Sequence, residues 1–496
     1  MRLLLASTAT MLLAGCAVGP DFKKPAAPDV TRYTDTELPS KTASAKGLDG
    51  AAQSFAVSKN VPEQWWTLFG SESLNKLVEQ ALANNPDLKA AYASLRIAQE
   101  NYYAARGDLL PSVDANFSPT RQKFNPAAFG EQGAPSSIFT LYNASVSVSY
   151  GIDIFGQARR AIEGTIAETN YQRFEQRAAY LTLASNVVNA AIQEASLKQQ
   201  IEETKNIIDI ESKQLDVLKK QLALGAVPKT TVLEQEAALA QTQTTLPPLE
   251  KQLAQQHNQL ATLAGNFPGK SPDISFDLST LKLPEELPLT LPSQLVEQRP
   301  DIRAAEEQLH EASAAIGVAT ANMLPQLTLT GSYGSETTSF SNLFSSSAEV
   351  WSIGGGLVQP LFHGGELLHK KRAASAAYDK AAAQYQSTVL LAFRNVADTL
   401  KALQFDADAL AAQVNAEEAA RNSLDLAQTQ FKAGAISYPQ LLDAQRTYQQ
   451  ARIGLVQAQA MRLADTVALF QALGGSFDDA GATTQKISPS ATEKKS

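Results

Sequence analysis

The chain contains two copies of one sequence pattern, and this duplication constrains the fold more than any other feature. Residues 85–88 (NPDL) return as residues 299–302 (RPDI), and residues 110–113 (LPSV) return at the same spacing as residues 324–327 (LPQL). Self-similarity at a fixed separation is typical of a duplicated structural unit. We therefore expect two copies of one supersecondary arrangement.

Long segments with apolar residues at every seventh position follow these motifs in both copies. Glu194 interrupts the first register once, and Glu417 interrupts the second once. Sustained seven-residue spacing favours left-handed coiled coils. We predict two helical hairpins whose first helices span residues 160–224 and 366–432, each roughly 100 Å long at about 1.5 Å per residue. The registers are Tyr180, Val187, Ile201, Ile208, Leu215 and Leu222; Val389, Val396, Leu403, Leu410, Leu424 and Phe431; Val232, Leu239, Leu246, Leu253 and Leu260; and Leu441, Tyr448, Leu455, Arg462 and Leu469.

Ahead of the long helices the period changes to two, which predicts β-strands. The alternation is clearest over residues 142–154 and weaker over 113–117, 327–333 and 351–357, so we expect four strands. One face is apolar and the other carries small polar residues, which suits a wall between lipid and water. Four strands cannot close a barrel, because single-chain barrels start at about eight. A trimer would supply about twelve strands.

The N-terminus has the pattern of a lipoprotein export signal. Residues 1–15 form a signal peptide with an apolar centre, and small residues precede Cys16, the single cysteine of the chain. We predict that Cys16 is lipidated. The net charge of −8 argues against nucleic acid as a partner. No later segment has the roughly 18 apolar residues of a membrane-spanning helix.

Composition and periodicity divide the chain into six parts. After the signal peptide, residues 16–61 form an extended segment, and residues 62–265 form the first repeat, with short helices, a strand pair and a long hairpin. Residues 266–298 are a proline-rich linker, residues 299–475 form the second repeat, and residues 476–496 form a flexible tail.

Residues with the spacing of a catalytic or metal site are lacking. His257, His310, His363 and His369 follow no metal-ligand pattern, and the sequence holds neither a phosphate-binding glycine loop nor a nucleophile elbow. We expect no catalytic residues, no metal and no cofactor other than the covalent lipid on Cys16. A structural coiled-coil scaffold would also explain the heptads and the anchor, although it would not need alternating strands.

Four motifs resemble the TolC-like outer membrane factor family, in its lipoprotein branch that serves resistance-nodulation-division efflux pumps. They are residues 16–25 (CAVGPDFKKP), Trp65-Trp66 with Phe69, residues 84–88 (NNPDL) and residues 299–302 (RPDI). The resemblance implies a mainly helical homotrimer, with a twelve-stranded β-barrel shared in the outer membrane and a coiled-coil barrel crossing the periplasm. It also implies a periplasmic adaptor and an inner-membrane pump as partners.

The hairpin turns are candidate contact sites. Glycine suits the left-handed backbone that ends a helix, and both turns contain one, Gly225 and Gly434. In the resembled family these turns form the periplasmic tip, so Gly225, Val227, Gly434 and Ile436 are candidates for adaptor contact. The alternative is that they are only helix caps.

A candidate gate follows the second turn. Residues 441–446 (LLDAQR) resemble a tip motif of the family in which an acidic residue lines the constriction, so Asp443 is the gate candidate. Arg446 could pair with it, and Tyr438 could narrow the passage. The alternative for Asp443 is a favourable interaction with the helix dipole.

The sequence thus predicts a lipid-anchored outer-membrane channel subunit that conducts small molecules from an adaptor and pump. A duct that exports proteins or metal ions, or a non-conducting coiled-coil scaffold, remains as an alternative. The cargo itself is not specified by any motif.

Overall fold

The computed structural model describes residues 17–126, 135–270 and 275–475. The predicted signal peptide, Cys16 and the predicted tail from residue 476 onward lie outside these ranges. The chain divides into two compact units. Of the described residues, those within 17–25, 93–173 and 304–387 form the first unit, and those within 26–92, 174–303 and 388–475 form the second.

The elements follow the predicted duplication. The helices are α1 (Glu72–Asn84), α2 (Pro86–Gly107), α3 (Gln157–Ala223), α4 (Lys229–Leu263), α5 (Pro292–Gln298), α6 (Pro300–Ala321), α7 (Glu366–Lys432) and α8 (Tyr438–Leu473). The strands are β1 (Ser54–Val57), β2 (Ser112–Phe124), β3 (Ser137–Ile152), β4 (Glu286–Leu289), β5 (Gln326–Thr337) and β6 (Glu349–Val358). Two short helices, two strands and a long hairpin therefore occur twice, in the same order.

The first unit contains an antiparallel sheet with the strand order β2-β3-β5-β6. Its strands lie where the alternation predicts them, and Val146 of β3 is opposite both Ala115 of β2 and Tyr333 of β5. The apolar side chains of the outer strands are exposed: Val113 of β2 is 64% exposed and Ile353 of β6 is 83% exposed. A sheet with exposed apolar residues on its outer strands requires an apolar environment or a partner.

The second unit contains most of the two long hairpins. The helices α3 and α7 have 67 residues each, which confirms the predicted lengths. Many of the heptad positions are buried, including Val187 and Leu215 on α3 and Val396 and Leu410 on α7, and others are half-buried. Among the described residues, none of the helices combines the length and apolar character needed to cross a membrane.

Both acidic interruptions of the heptads have partners. Glu194 is almost fully buried, and its carboxylate lies 3.0 Å from His257 Nε2 and accepts the backbone N–H of Phe276 at 2.9 Å. Glu417 accepts two hydrogen bonds from Arg421, at 2.6 and 2.8 Å. A buried carboxylate is strongly unfavourable without such partners, so both glutamates have structural roles.

The linker between the repeats is more ordered than predicted. Strand β1, in the segment interpreted as only extended, pairs in parallel with β4 in the linker, with Ser54 opposite Glu286. The linker also contains α5, so the second repeat begins with two helices like the first. Four-residue strands and a seven-residue helix are too short to produce a periodic signal.

The repeated motifs NPDL (residues 85–88) and RPDI (residues 299–302) each cap the end of a hairpin. The amide Nδ2 of Asn85 donates to the carbonyl of Leu263 at 3.1 Å, at the end of α4. A guanidinium nitrogen of Arg299 donates to the carbonyl of Ala472 at 2.5 Å, near the end of α8. The last carbonyls of a helix have no partner within the helix. Each side chain therefore supplies a donor to the end of a hairpin and holds that end against the start of the same repeat. The duplicated motif is thus explained structurally.

Candidate functional site at the hairpin turns

The two turns of the second unit share one backbone arrangement. Gly225 and Gly434 have positive φ angles of 72° and 71°. The amide of Ala226 donates to the carbonyl of Gln221, and the amide of Ala435 donates to the carbonyl of Gln430, both at 2.8 Å. This is the Schellman arrangement that ends a helix. A Cβ atom on either glycine would meet open space, so the turn surface is accessible there.

Below the turns lies an apolar tip cluster shared by both hairpins. Val227 and Ile436, predicted as adaptor contacts, are half-buried against this cluster, whereas Leu224 in the first turn is 84% exposed. Sequence reasoning missed Leu224, although an apolar residue directly before a turn glycine was the available signal. The buried members of the tip cluster are Leu215, Leu218, Val232, Ala238, Leu424, Ala427, Tyr438, Leu441 and Leu442.

Tyr438 belongs to this cluster. Its side chain is buried, its ring lies 5.3 Å from the ring of Phe431, and its hydroxyl donates to the side-chain oxygen of Gln235. Gln235 in turn donates to the backbone carbonyl of Glu211 at 2.9 Å. Burial raises the pKa of the Tyr438 hydroxyl above its usual value. These contacts join α8, α4 and α3, and they favour a packing role for Tyr438 over the steric role predicted for it.

Asp443 and Arg446 are both exposed on the first turns of α8. The backbone carbonyl of Asp443 accepts the hydroxyl of Thr447 at 2.9 Å, a bond within the helix. Burial raises the pKa of Glu211, while a hydrogen bond from Thr242 and the positive charge of Arg446 oppose that rise. The structure therefore places Arg446 near Glu211. Within the described residues of one chain, no ion pair joins Arg446 to Asp443.

Farther along the hairpins, Arg452 of α8 bridges two helices. Its guanidinium pairs with Glu203 of α3 and lies 3.5 Å from the carboxylate of Glu417 of α7. All three side chains are largely buried. Sequence reasoning missed Arg452, but the glutamate that interrupts the heptads of α7 was a usable signal. A carboxylate in a buried seam needs hydrogen-bond donors or a cation facing it.

A groove of about 610 Å³ lies between the hairpins at this end of the second unit. Its lining includes the apolar side chains of Val217, Phe431 and Leu441 and the basic side chains of Lys213 and Lys432. The predicted contact residues Val227, Gly434 and Ile436 line it, but Gly225 does not. Apolar and basic side chains along one groove suit an amphipathic helix from another protein.

The described residues show no grouping of side chains that could ligate a metal. No three histidine, cysteine, aspartate or glutamate side chains within them lie close enough together to hold a metal ion. Cys16, the predicted lipidation site, lies outside the described ranges.

Comparison with known proteins agrees with this architecture. The pyoverdine export outer membrane protein OpmQ of Pseudomonas putida is 32% identical over 421 residues, covering 84% of this chain and 89% of OpmQ. The cation efflux system protein CusC of Escherichia coli is 27% identical over 476 residues, covering 96% of this chain and 98% of CusC. The solved outer-membrane channel OprN superimposes with a TM-score of 0.82 at 27% identity, covering 93% of this chain and 99% of OprN.

The family profile described as outer membrane efflux protein matches residues 77–266 and 291–475. The two matched segments correspond to the two structural repeats, and the second begins beside α5 rather than at the predicted boundary, residue 299. With the duplicated hairpins and the matched relatives, this profile shows that the chain belongs to the outer membrane efflux protein family.

Proposed function

We propose that three copies of this chain form a passive duct that carries small molecules from a periplasmic adaptor and an inner-membrane pump to the exterior. As a member of its family, the chain is an outer-membrane efflux component. The open sheet of the first unit is the main support for a duct built from three copies. Four strands with exposed apolar residues are the partial wall that each copy would contribute.

The outer strands of this sheet have free backbone edges. Among the described residues, β2 pairs only with β3, and β6 pairs only with β5. A free strand edge is not tolerated in lipid, because each backbone N–H and C=O group there needs a hydrogen-bond partner. Joining β6 of one copy to β2 of the next would satisfy both edges. Three copies would then close a barrel of about twelve strands.

We further propose that Cys16 carries lipid that anchors each copy in the outer membrane. The small residues before Cys16 and the export signal support this assignment. A lipid chain and a shared barrel would reinforce each other, since one acyl chain alone holds a protein only weakly at a membrane.

The adaptor would contact the turns and the groove between the hairpins. Leu224 and the half-buried Val227 and Ile436 offer apolar contact, and Lys432 offers positive charge beside it, whereas Lys213 pairs with Asp209 at 2.6 Å. This surface fits an amphipathic helical segment with acidic flanks. Gly225 and Gly434 would act mainly by shaping the turns.

Asp443 and Arg446 are proposed to form the gate at the hairpin turns. Both are exposed at the start of α8, and among the described residues of their own chain neither forms an ion pair, although Arg446 lies near Glu211. In a threefold assembly, Asp443 of one copy could pair with Arg446 of another and hold the ends of the hairpins together. Tyr438 would support the gate indirectly, through its contact with Gln235.

The double substitution Asp443→Ala with Arg446→Ala should raise the single-channel conductance of the purified full chain in planar bilayers several-fold. Loss of the contacts between copies would widen the narrow end, and conductance rises with the cross-section there. Recordings at a series of salt concentrations should also show reduced cation preference, because a ring of carboxylates favours cations.

The matched control is Lys219→Ala with Glu236→Ala. These residues form an exposed ion pair of 3.0 Å between α3 and α4, near the same turns. Exposed pairs contribute about 1 kcal/mol or less, so the control should conduct like the wild type. Equal conductance of the Asp443 and Arg446 variant and the wild type would remove both residues from the gate.

The cargo is proposed only as a class. OpmQ is named for pyoverdine export and CusC for cation efflux, so related ducts carry chemically different loads. The lipoprotein pattern and these relatives support small-molecule efflux over protein export. A metal-ion cargo stays as the second candidate because of the similarity to CusC.

A further inference from the structure

In the first unit, residues 18–24, here called the docking segment, lie against α3 and α6. The amide of Val18 donates to the carbonyl of Phe155 at 3.0 Å, and the carbonyl of Val18 accepts Arg160 Nε at 3.2 Å. Asp21 forms an ion pair of 2.7 Å with the same guanidinium. Arg160 thus binds the segment through both its backbone and a side chain.

Two glycines allow the segment and α6 to touch through their backbones. A Cβ atom on Gly19 would lie 2.5 Å from the Cα atom of Gly317, and Gly19 also has a φ angle of +99°. A Cβ atom on Gly317 would lie 3.0 Å from the carbonyl oxygen of Val18 and 2.7 Å from Arg160 Cγ. Any larger residue at either position would push the segment away from the helix.

Side chains farther along the segment have separate partners on α6. The ring of Phe22 stacks on His310, with centroids 4.3 Å apart and planes inclined by 15°. Lys24 lies 3.6 Å from the largely buried carboxylate of Glu306. Backbone, acidic, aromatic and basic groups of the segment therefore each have a specific contact, unlike the contacts of a loosely attached terminus.

The groups that receive the segment also hold one another in place. Arg160 pairs with Glu163 at 2.7 Å, and Glu163 lies 3.0 Å from His310 Nε2. The other ring nitrogen of His310 lies 3.4 Å from Glu307. Because these contacts do not involve the segment, the surface should keep its shape when the segment leaves.

We propose that α3 of the first repeat and α6 of the second form a peptide-binding site, and that the docking segment is its detachable intramolecular ligand. The site takes a short peptide with a glycine for close approach, an aspartate for Arg160, an aromatic residue for His310 and a following lysine for Glu306. While bound, the segment fixes the N-terminal end of the chain at the first turn of α3 and ties the two repeats together.

The test uses the full chain with Gly19→Ala, which should displace the segment by its clash with Gly317. A fluorescent synthetic peptide with the sequence of residues 17–25 is titrated, and binding is followed by anisotropy. The Gly19→Ala chain should bind this peptide about tenfold or more tighter than the wild type, whose site is occupied. Trypsin should also cleave after Lys23 roughly tenfold faster in the variant.

Two controls make the result specific. Gly47→Ala changes another glycine with a positive φ angle, +91°, that has open space around it, so it should behave like the wild type. Adding Gly317→Val to Gly19→Ala fills the site and should abolish peptide binding. If Gly19→Ala fails to fold, Asp21→Asn with Phe22→Ala replaces it. Peptide binding that is no tighter than in the wild type, or that survives sequence scrambling or Gly317→Val, would overturn the proposal.

Discussion

Arg462→Ala is expected to lower the free energy of unfolding by about 3 to 5 kcal/mol, the usual cost of breaking a buried charged network. Arg462 of α8 is 1% exposed. Its guanidinium donates to the carbonyls of Asp49 and Ala51 at 2.6 and 3.1 Å and to the side-chain oxygen of Gln53 at 3.2 Å. Truncation would leave these oxygens without their charged donor and open a cavity beside β1.

The pH dependence of the free energy of unfolding would show whether Arg462 acts through its charge and hydrogen bonds or only through the space that its side chain fills. Burial raises the pKa of Asp49 to about 7, against the opposing effects of Arg462 and the amide of Leu283. An unfolded aspartate titrates near 3.9, so the wild type loses stability as the pH rises from about 4 to about 7. Without Arg462 the folded-state pKa would rise further, and the loss would continue to higher pH.

Denaturant titrations of the solubilised chain at several pH values measure both effects. Arg394→Ala is the control, because its side chain is 67% exposed and its one ion pair with a described residue is a long contact of 3.8 Å with Asp398. That variant should stay within about 0.5 kcal/mol of the wild type. A similar small effect for Arg462→Ala would show that the segment containing β1 is not held by this arginine.

Arg452→Ala should have the second largest effect, a loss of about 2 to 4 kcal/mol. The substitution leaves Glu203 buried without the cation that now faces it, whereas Glu417 keeps Arg421. Because Arg452 joins α8 to both α3 and α7, its loss would also loosen the two hairpins relative to each other. Channel recordings should then show more frequent and larger openings.

Arg452→Lys is the informative companion variant. Lysine keeps the charge but cannot reach two carboxylates with a planar fork, so its stability should fall between the alanine variant and the wild type. If both variants unfold like the wild type, the contacts of Arg452 contribute nothing to hairpin packing. If the variants are less stable but their channel recordings match those of the wild type, then hairpin packing by Arg452 does not control conduction.

Much of the fold could be predicted because long periodic signals dominate it. The lengths of α3 and α7 follow from heptads sustained over many turns, and the four strands of the first unit follow from alternation. The short strands β1 and β4 escaped prediction because four residues cannot establish a period. The two strands lie 232 residues apart in the sequence, and only the tertiary structure brings them together.

The polar contacts of the site were less predictable, because each depends on a partner from another helix. Tyr438 was predicted to narrow the passage, yet its ring packs on Phe431 and its hydroxyl reaches Gln235. The informative residues were those that broke the heptads. Glu417, a charged residue in the heptads of α7, indicated that a cation such as Arg452 would face it. Arg462, a charged residue in an otherwise apolar register of α8, indicated a buried polar network at its own position.

Efflux from living cells tests the central claim, that this chain conducts small molecules out across the outer membrane, most directly. The gene is deleted in its own host after other outer-membrane efflux channels have been removed, and accumulation of fluorescent dyes, antibiotics and metal ions is measured. Deletion should raise the accumulation of at least one small-molecule class, and the restored wild-type gene should reverse it. Unchanged accumulation of every class, with the protein present in the parent strain, would contradict the account.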